Sequence, residues 1–323
     1  MTSQSVTSLF ELLIVFIFLG TIPGSIAWLL IAKNQSRTEV IVLGSSMGLI
    51  LMAFGVALSS WTQLYFTRFV PSLLFVLLGL LYRKRSWLRF SSGVHGGSLI
   101  LSGAILGFST ILAQLIVTLR SQPVTWEGWW SFSSDLPFHV SLTSEVLNRS
   151  PKTFPWLPGT EINYTWMLHS ALGVWGSLSK PSADFLVLLA WPILFSFLLP
   201  LTISVLAYKF GKQKYVVLFA ASITALFIGP IGMQGTPFEY FPTYSISPTH
   251  ELSQILIITI LLAVFSKRQF VELKTKMERF ASGLVLLITI FVATGSKGVM
   301  PLFIASAIGS FWLHRCIKRT LNR

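Results

Sequence analysis

Residues 40–60 read VIVLGSSMGLILMAFGVALSS, a run of 21 residues without one charged side chain. A helix of about 20 apolar residues has the length that crosses the hydrocarbon core of a bilayer. Comparable runs recur along the chain, which has 323 residues, 53% of them hydrophobic and 11% charged. A soluble domain averages about 25% charged residues. Because a spanning segment must satisfy its own backbone hydrogen bonds, the sequence predicts an all-α, polytopic transmembrane bundle forming one integral membrane domain over residues 1–323.

The lysines and arginines outnumber the acidic residues, so the net charge is +13. They stand in short clusters between the apolar runs. Such clusters fix orientation by remaining in the cytoplasm, so we expect membrane lipids and no nucleic acid as partners. Placing every cluster on the cytoplasmic side of the inner or plasma membrane requires about nine spans, with the N-terminus outside and the C-terminus inside. Two polar loops, residues 120–167 and 233–250, then lie outside. The short apolar segment 167–178 is expected to be re-entrant or interfacial.

The first outer loop contains Ser133-Ser134-Asp135-Leu136-Pro137-Phe138-His139. Serine and aspartate are good N-cap residues and proline is tolerated in a first turn, which predicts a juxtamembrane helix over about residues 136–148. His139 then lies one turn beyond Asp135. Three apolar residues form a stripe on this helix that is expected to lie on the membrane, namely Phe138, Leu142 and Val146.

Asp135 has two interpretations. It caps the helix while His139 only reaches the membrane interface, or it is a general base at the membrane surface with His139 beside it. An acceptor hydroxyl or amide needs such a carboxylate within hydrogen-bonding reach.

This loop resembles the first extracytoplasmic loop of polyprenol-phosphate-dependent glycosyltransferases of the GT-C fold. In those enzymes an aspartate precedes aromatic residues and a histidine or asparagine at a helix start, as in residues 135–139 here. The continuation is similar to bacterial GT-C-like membrane proteins at Pro151, Pro155, Pro158, Gly159, Tyr164 and His169. The resemblance covers residues 135–169. Here, however, the loop follows the fourth apolar run rather than the first, which leaves room for a truncated chain or a non-catalytic relative.

The resemblance implies transfer of a sugar from a lipid-linked donor on the outer face, with Asp135 as the catalytic base. His139, His169 or Lys297 would steady the phosphate leaving group. His250 and Glu251, at a predicted helix start in the second loop, are further candidates for donor binding. No cofactor is certain; a divalent metal is possible, although the sequence does not reveal its ligands.

Two other functions compete with the enzyme. A transporter or lipid flippase would place ionisable residues within its spans, whereas these spans are nearly free of charge. A non-catalytic assembly subunit of the same fold differs from the enzyme only through the departures from the GT-C pattern.

Overall fold

A computed structural model provides the structure of the protein. It describes residues 3–32, 36–81, 98, 100–103, 105–109, 136–149, 153–154, 157–161, 166–211, 217, 248–265 and 276–296. Apart from one short hairpin, the secondary structure of these residues is helical. Three of the described helices are long and apolar enough to cross a membrane, namely Thr7–Ile31, Arg37–Thr62 and Trp191–Lys209. This architecture fits a helical membrane protein.

The elements before residue 82 form two long hydrophobic helices and a shorter one. They are α1 (Ser3–Phe16), a π-helical turn (Ile17–Thr21), α2 (Ile22–Ile31), α3 (Arg37–Thr62), a 3-10 turn (Tyr65–Phe69) and α4 (Val70–Leu81).

The later elements follow residue 135 and complete the described bundle. They are α5 (Leu136–Asn148), β1 (Thr153–Phe154), β2 (Leu157–Glu161), α6 (Met167–Gly176), α7 (Ala183–Phe185), a second π-helical turn (Leu186–Ala190), α8 (Trp191–Gly211), α9 (Pro248–Phe265) and α10 (Lys276–Ser296).

Helix α3 lies at the centre of the described bundle, with α2, α4, α6, α8, α9 and α10 packed against it. Its residues from Val40 to Ser60 are mostly buried. A helix that is apolar on all sides belongs inside a bundle, where every face meets another helix.

Glycines let α2 and α3 approach backbone to backbone. A Cβ atom on Gly24 would collide with the carbonyl of Gly44, and one on Gly48 would collide with the backbone of Gly20. Between these contacts the hydroxyls of Thr21 and Ser45 share a hydrogen bond of 3.0 Å. Paired small residues at this spacing are a recurrent means of packing membrane helices, since the hydrophobic effect does not drive their association in lipid.

A π-helical turn precedes a proline at the start of two described helices, α2 and α8. Pro23 follows the turn Ile17–Thr21, and Pro192 follows the turn Leu186–Ala190. Because Pro23 has no N–H, the carbonyl of Leu19 loses its usual partner in the helix. The hydroxyl of Ser72 on α4 donates to that carbonyl at 2.6 Å. The proline is thus accommodated by a neighbouring helix, as is common in membrane bundles.

A buried acid joins the start of α3 to the end of α8. Glu39 is fully buried and completes a capping box with Ser36, whose N–H donates to its carboxylate at 2.7 Å. The ammonium of Lys209 lies 2.9 Å from the other carboxylate oxygen. The first turn of α3 and the last turn of α8 therefore lie at the same end of the bundle.

One short hairpin interrupts the otherwise helical structure of the described residues. Strands β1 and β2 pair antiparallel, with Thr153 opposite Glu161 and Phe154 opposite Leu157. In the sequence this stretch reads only as a proline-rich segment. Two strands this short carry no alternating pattern long enough to distinguish them from a loop.

We expect Gly48→Ala to destabilise the protein by about 1–3 kcal/mol, because its methyl group has no room against the backbone of Gly20. Gly283→Ala on α10 is the matched control, since nothing lies within 4 Å of a Cβ at that position. It should be neutral or stabilise by about 0.5–1 kcal/mol through helix propensity. Unfolding of both variants in detergent, followed by circular dichroism, measures the difference. Equal stabilities would show that α2 and α3 are not in close contact.

Candidate functional site

Helix α5 has the bounds that its capping residues predicted, Leu136–Asn148. Its apolar stripe, however, does not lie on the membrane: Leu142 and Val146 are fully buried, and Val146 packs against Gly173 of α6. The expectation of a membrane-facing stripe is therefore wrong. An apolar stripe predicts that a helix face is covered, but lipid and another helix cover it equally well.

Helix α6 is short, as predicted for the segment 167–178, and all its residues from Met167 to Gly176 are buried. It packs against both α3 and α5. At about 1.5 Å per residue its ten residues span roughly 15 Å, about half of a hydrocarbon core. Whether α6 is re-entrant stays a prediction. Whether it is interfacial likewise stays a prediction, because burial among other helices does not give the depth of α6 in a membrane.

Two of the predicted site residues, His139 of α5 and His169 of α6, meet inside the protein. The Nδ1 atom of His139 lies 3.1 Å from Nε2 of His169, with ring planes 22° apart. Thr143, one turn after His139, brings its hydroxyl within 2.9 Å of Nδ1 of His169. All three side chains are fully buried. The interpretation that placed His139 at the membrane interface is thus wrong, because α5 turns this face toward α6.

Burial, and to a lesser extent neighbouring His139, lowers the pKa of His169 well below its ordinary value. His169 is therefore neutral at pH 7, with one ring nitrogen donating and the other accepting. The chain Thr143–His169–His139 can run in either direction, depending on the tautomer. Both ring nitrogens of His169 are engaged, so direct binding of a donor phosphate by His169 would require these hydrogen bonds to open.

Arg68 forms a second cluster at the other end of α5, and it is fully buried. Its Nη1 donates to the carbonyl of Val146 and to the hydroxyl of Ser177, each at 3.0 Å. Its Nη2 donates to the carbonyl of Arg149 at 3.1 Å. These carbonyls belong to the last turn of α5 and the residue after it, where the helix dipole is negative. Arg68 thus caps the C-terminal end of α5.

Tyr65 completes this cluster. The guanidinium of Arg68 stacks on the Tyr65 ring at 3.6 Å from its centroid, and the Tyr65 hydroxyl donates to the carbonyl of Leu147 at 3.1 Å. Neither Tyr65 nor Arg68 was predicted as a site residue from the sequence. The available signal was a lone arginine three residues after a tyrosine, between two apolar runs, and it does not name partners about 80 residues away.

The other predicted residues are only partly located. Asp135 immediately precedes α5, and Lys297 immediately follows α10; both lie outside the described residues. His250 and Glu251 lie in the first turn of α9, at the helix start that the sequence predicted, although their side chains are outside the described part.

The end of α10 lies beside the start of α6. A Cβ atom on Gly295 would stand 2.7 Å from the terminal methyl of Met167. This contact brings the helix that ends before Lys297 next to the helix that carries His169. Where the described residues are concerned, no three His, Cys, Asp or Glu side chains are grouped so as to hold a metal ion.

Comparison with known proteins adds no relative: no family model, no curated protein and no solved structure matches the chain.

The neutral state of His169 predicts how stability depends on pH. The unfolded chain takes up a proton as the pH falls below about 6.5, whereas the folded chain does so only at its lowered pKa. The stability that depends on neutral His169 is therefore complete above about pH 6.5 and is lost as the pH falls toward the folded pKa. The slope for this one group is at most about 1.4 kcal/mol per pH unit.

Thermal unfolding in detergent between pH 5 and pH 8 tests this expectation. Unmodified protein should lose stability on acidification, and His169→Gln should flatten part of the slope, since glutamine does not titrate but can still hydrogen bond to His139. The same slope in both proteins would contradict the assignment.

Proposed function

We propose that the chain is a membrane glycosyltransferase of GT-C type, which moves a sugar from a polyprenol-phosphate-linked donor to an acceptor on the outer face of the inner or plasma membrane. The observation that carries the proposal is the position of Asp135. It immediately precedes a helix that Arg68 and Tyr65 hold at one end and His169 holds near the other. A catalytic carboxylate needs such a fixed support, because small displacements of a catalytic group cost much of the rate.

In this reaction Asp135 accepts the proton of the acceptor hydroxyl or amide. The acceptor atom then forms a bond to the anomeric carbon of the sugar as the bond from that carbon to the phosphate oxygen breaks. Polyprenyl phosphate leaves with the electron pair of the broken bond. Lys297, His250 and Glu251 are the proposed residues around the donor, with a lysine meeting the phosphate as a point charge. His139 supports α5 through His169.

The proposed topology has about nine spans, with the N-terminus outside and the C-terminus in the cytoplasm. Two sets of contacts support this topology. The ion pair Glu39–Lys209 joins two segments that the basic clusters place together in the cytoplasm. The bonds from Arg68 join the turn after α3 to α5, and both of these are expected outside.

A non-catalytic assembly subunit is the second candidate. The engagement of both His169 nitrogens favours it, because that histidine then serves packing rather than a ligand. The two candidates differ in whether the purified protein turns over a lipid-linked sugar.

Fusion of reporters tests the topology. A reporter near Arg85, near Gly211 or at the C-terminus should report the cytoplasm, and one near Lys152 should report the outside, because the basic clusters mark the inner face. A cytoplasmic Lys152 would remove the proposed site, since donors of this class are used on the outer side.

Asp135→Asn tests the chemistry. Asparagine keeps the shape and the capping ability of aspartate but cannot accept the proton, so we expect a loss of about 100- to 10,000-fold in sugar transfer with the fold preserved. The assay is release of polyprenyl phosphate from a lipid-linked sugar by the purified protein.

Asp184→Asn is the matched control, since Asp184 is the other aspartate of the chain and is exposed in α7. It should leave turnover unchanged. Near-normal turnover by Asp135→Asn would assign Asp135 to capping alone. If the unmodified protein shows no turnover with any polyprenyl donor, the non-catalytic subunit becomes the better description.

A further inference from the structure

We propose that Arg68 is a positioning residue for the outer site: it joins α5 to the membrane-spanning helix α3 and thereby sets where Asp135 stands. Its link to Asp135 rests on the proposed function. Its link to α5 rests on the hydrogen bonds alone, so the two parts of the proposal can be tested separately.

The positive charge of Arg68 needs compensating groups inside the protein. Arg68 is fully buried, and among the described residues no carboxylate pairs with it. A buried cation is costly unless other groups replace its water. Here the replacements are the carbonyls of Val146 and Arg149, the hydroxyl of Ser177 and the face of the Tyr65 ring. Two of these four groups are carbonyls in the last turn of α5 and at the residue after it, so moving α5 away would leave the charge of Arg68 uncompensated.

The backbone of Arg68 is held in close contact with α3. The short turn Tyr65–Phe69 folds back along the last part of α3, where the carbonyl of Arg68 lies so close to Gly55 that a Cβ atom there would collide with it. The backbone of Arg68 is thus pressed against a buried, spanning helix. Its side chain extends from that fixed point to α5.

The contacts that hold α5 lie at two separate places along the helix. Helix α5 has 13 residues, or roughly 20 Å at 1.5 Å per residue. Arg68 and Tyr65 hold its C-terminal end, and His139 and Thr143 meet His169 in its N-terminal half. One contact alone leaves the helix free to pivot. Two contacts fix both its position and its rotation, and hence the place of its first residue, Leu136, which directly follows Asp135 in the sequence.

Hydrogen exchange and turnover of Arg68→Gln test the proposal. Both are measured on the full-length protein in lipid nanodiscs. We expect exchange of the amides of residues 136–149 to rise about tenfold or more, because two charge-assisted bonds to this helix are lost. In the transfer assay with a polyprenyl-phosphate-linked sugar, kcat should fall while KM changes little, since donor contacts remain. Arg68→Lys should be intermediate, because an ammonium is a point charge that does not span all three acceptors at once.

The matched control is Arg149→Gln. The Arg149 side chain is exposed and pairs with Glu145 on α5 itself, while its carbonyl still accepts from Arg68. This variant removes the arginine side chain that directly follows α5 without removing the bonds from Arg68 to this end of the helix. Its exchange and its kcat should equal those of the unmodified protein.

The possible outcomes separate the two parts of the proposal. Exchange of residues 136–149 in Arg68→Gln that matches the control would overturn the anchoring role. Faster exchange with unchanged kcat would overturn the link to Asp135. If the unmodified protein has no turnover, the proposed function and that link fail together, while the exchange measurement still decides the anchoring.

Tyr65→Phe covers the case in which Arg68→Gln does not fold. It removes only the bond to the carbonyl of Leu147 and keeps the ring beneath the guanidinium. We expect a smaller, several-fold rise in exchange at the end of α5. No rise with this variant, combined with misfolding of Arg68→Gln, would show that Arg68 stabilises the bundle as a whole rather than anchoring α5.

Discussion

The described bundle depends on the close contact between α2 and α3. Lipid tails surround membrane helices as favourably as leucine side chains do, so helices associate there through van der Waals contact and hydrogen bonds. Glycines at 20, 24, 44 and 48 remove the side chains that would keep the two backbones apart. The hydroxyls of Thr21 and Ser45 then reach each other across the contact. This pair gives α3 the fixed central place around which the other helices pack.

The buried charges are placed at the two ends of α3. Glu39 in its first turn pairs with Lys209, and Arg68 lies against its last turns near Gly55. Between these ends its buried face consists of aliphatic, small and hydroxyl side chains. Charges are expensive in the hydrocarbon core, so groups that must be buried stand where carbonyls, hydroxyls or a counter-ion compensate them. Through these two ends α3 connects the last turn of α8 with α5.

Local signals made some features predictable. The bounds of α5 followed from cap residues and a proline, which act within one helical turn. Three of the long apolar runs are long helices among the described residues, and the apolar composition that predicts them is likewise a local property of the sequence. The sequence also shows a pair of small-residue motifs, in which Gly20 and Gly24, and Gly44 and Gly48, are four residues apart.

Contacts between distant residues were not predictable in this way. The stripe on α5 predicted a covered face but not that α6 would cover it, and one of the two interpretations of His139 placed that residue at the membrane interface. Arg68 binds backbone carbonyls, which every residue has, so no side chain in the sequence marks its partners. The number of spans and the site itself depend partly on segments outside the described residues, including Asp135 and Lys297.

The electrostatics of the two clusters constrain how a lipid phosphate would be bound. His169 is neutral and has both nitrogens engaged, and the guanidinium of Arg68 is already directed at the end of α5 and Ser177. Neither provides a positive charge to a leaving phosphate without breaking the contacts that hold α5. In the proposed reaction that charge must come from another cation, and Lys297, which directly follows α10 in the sequence, is the candidate of the right type. The residues around α5 then divide into those that hold the base and those that meet the phosphate, so removing the first group lowers kcat and removing the second weakens donor binding.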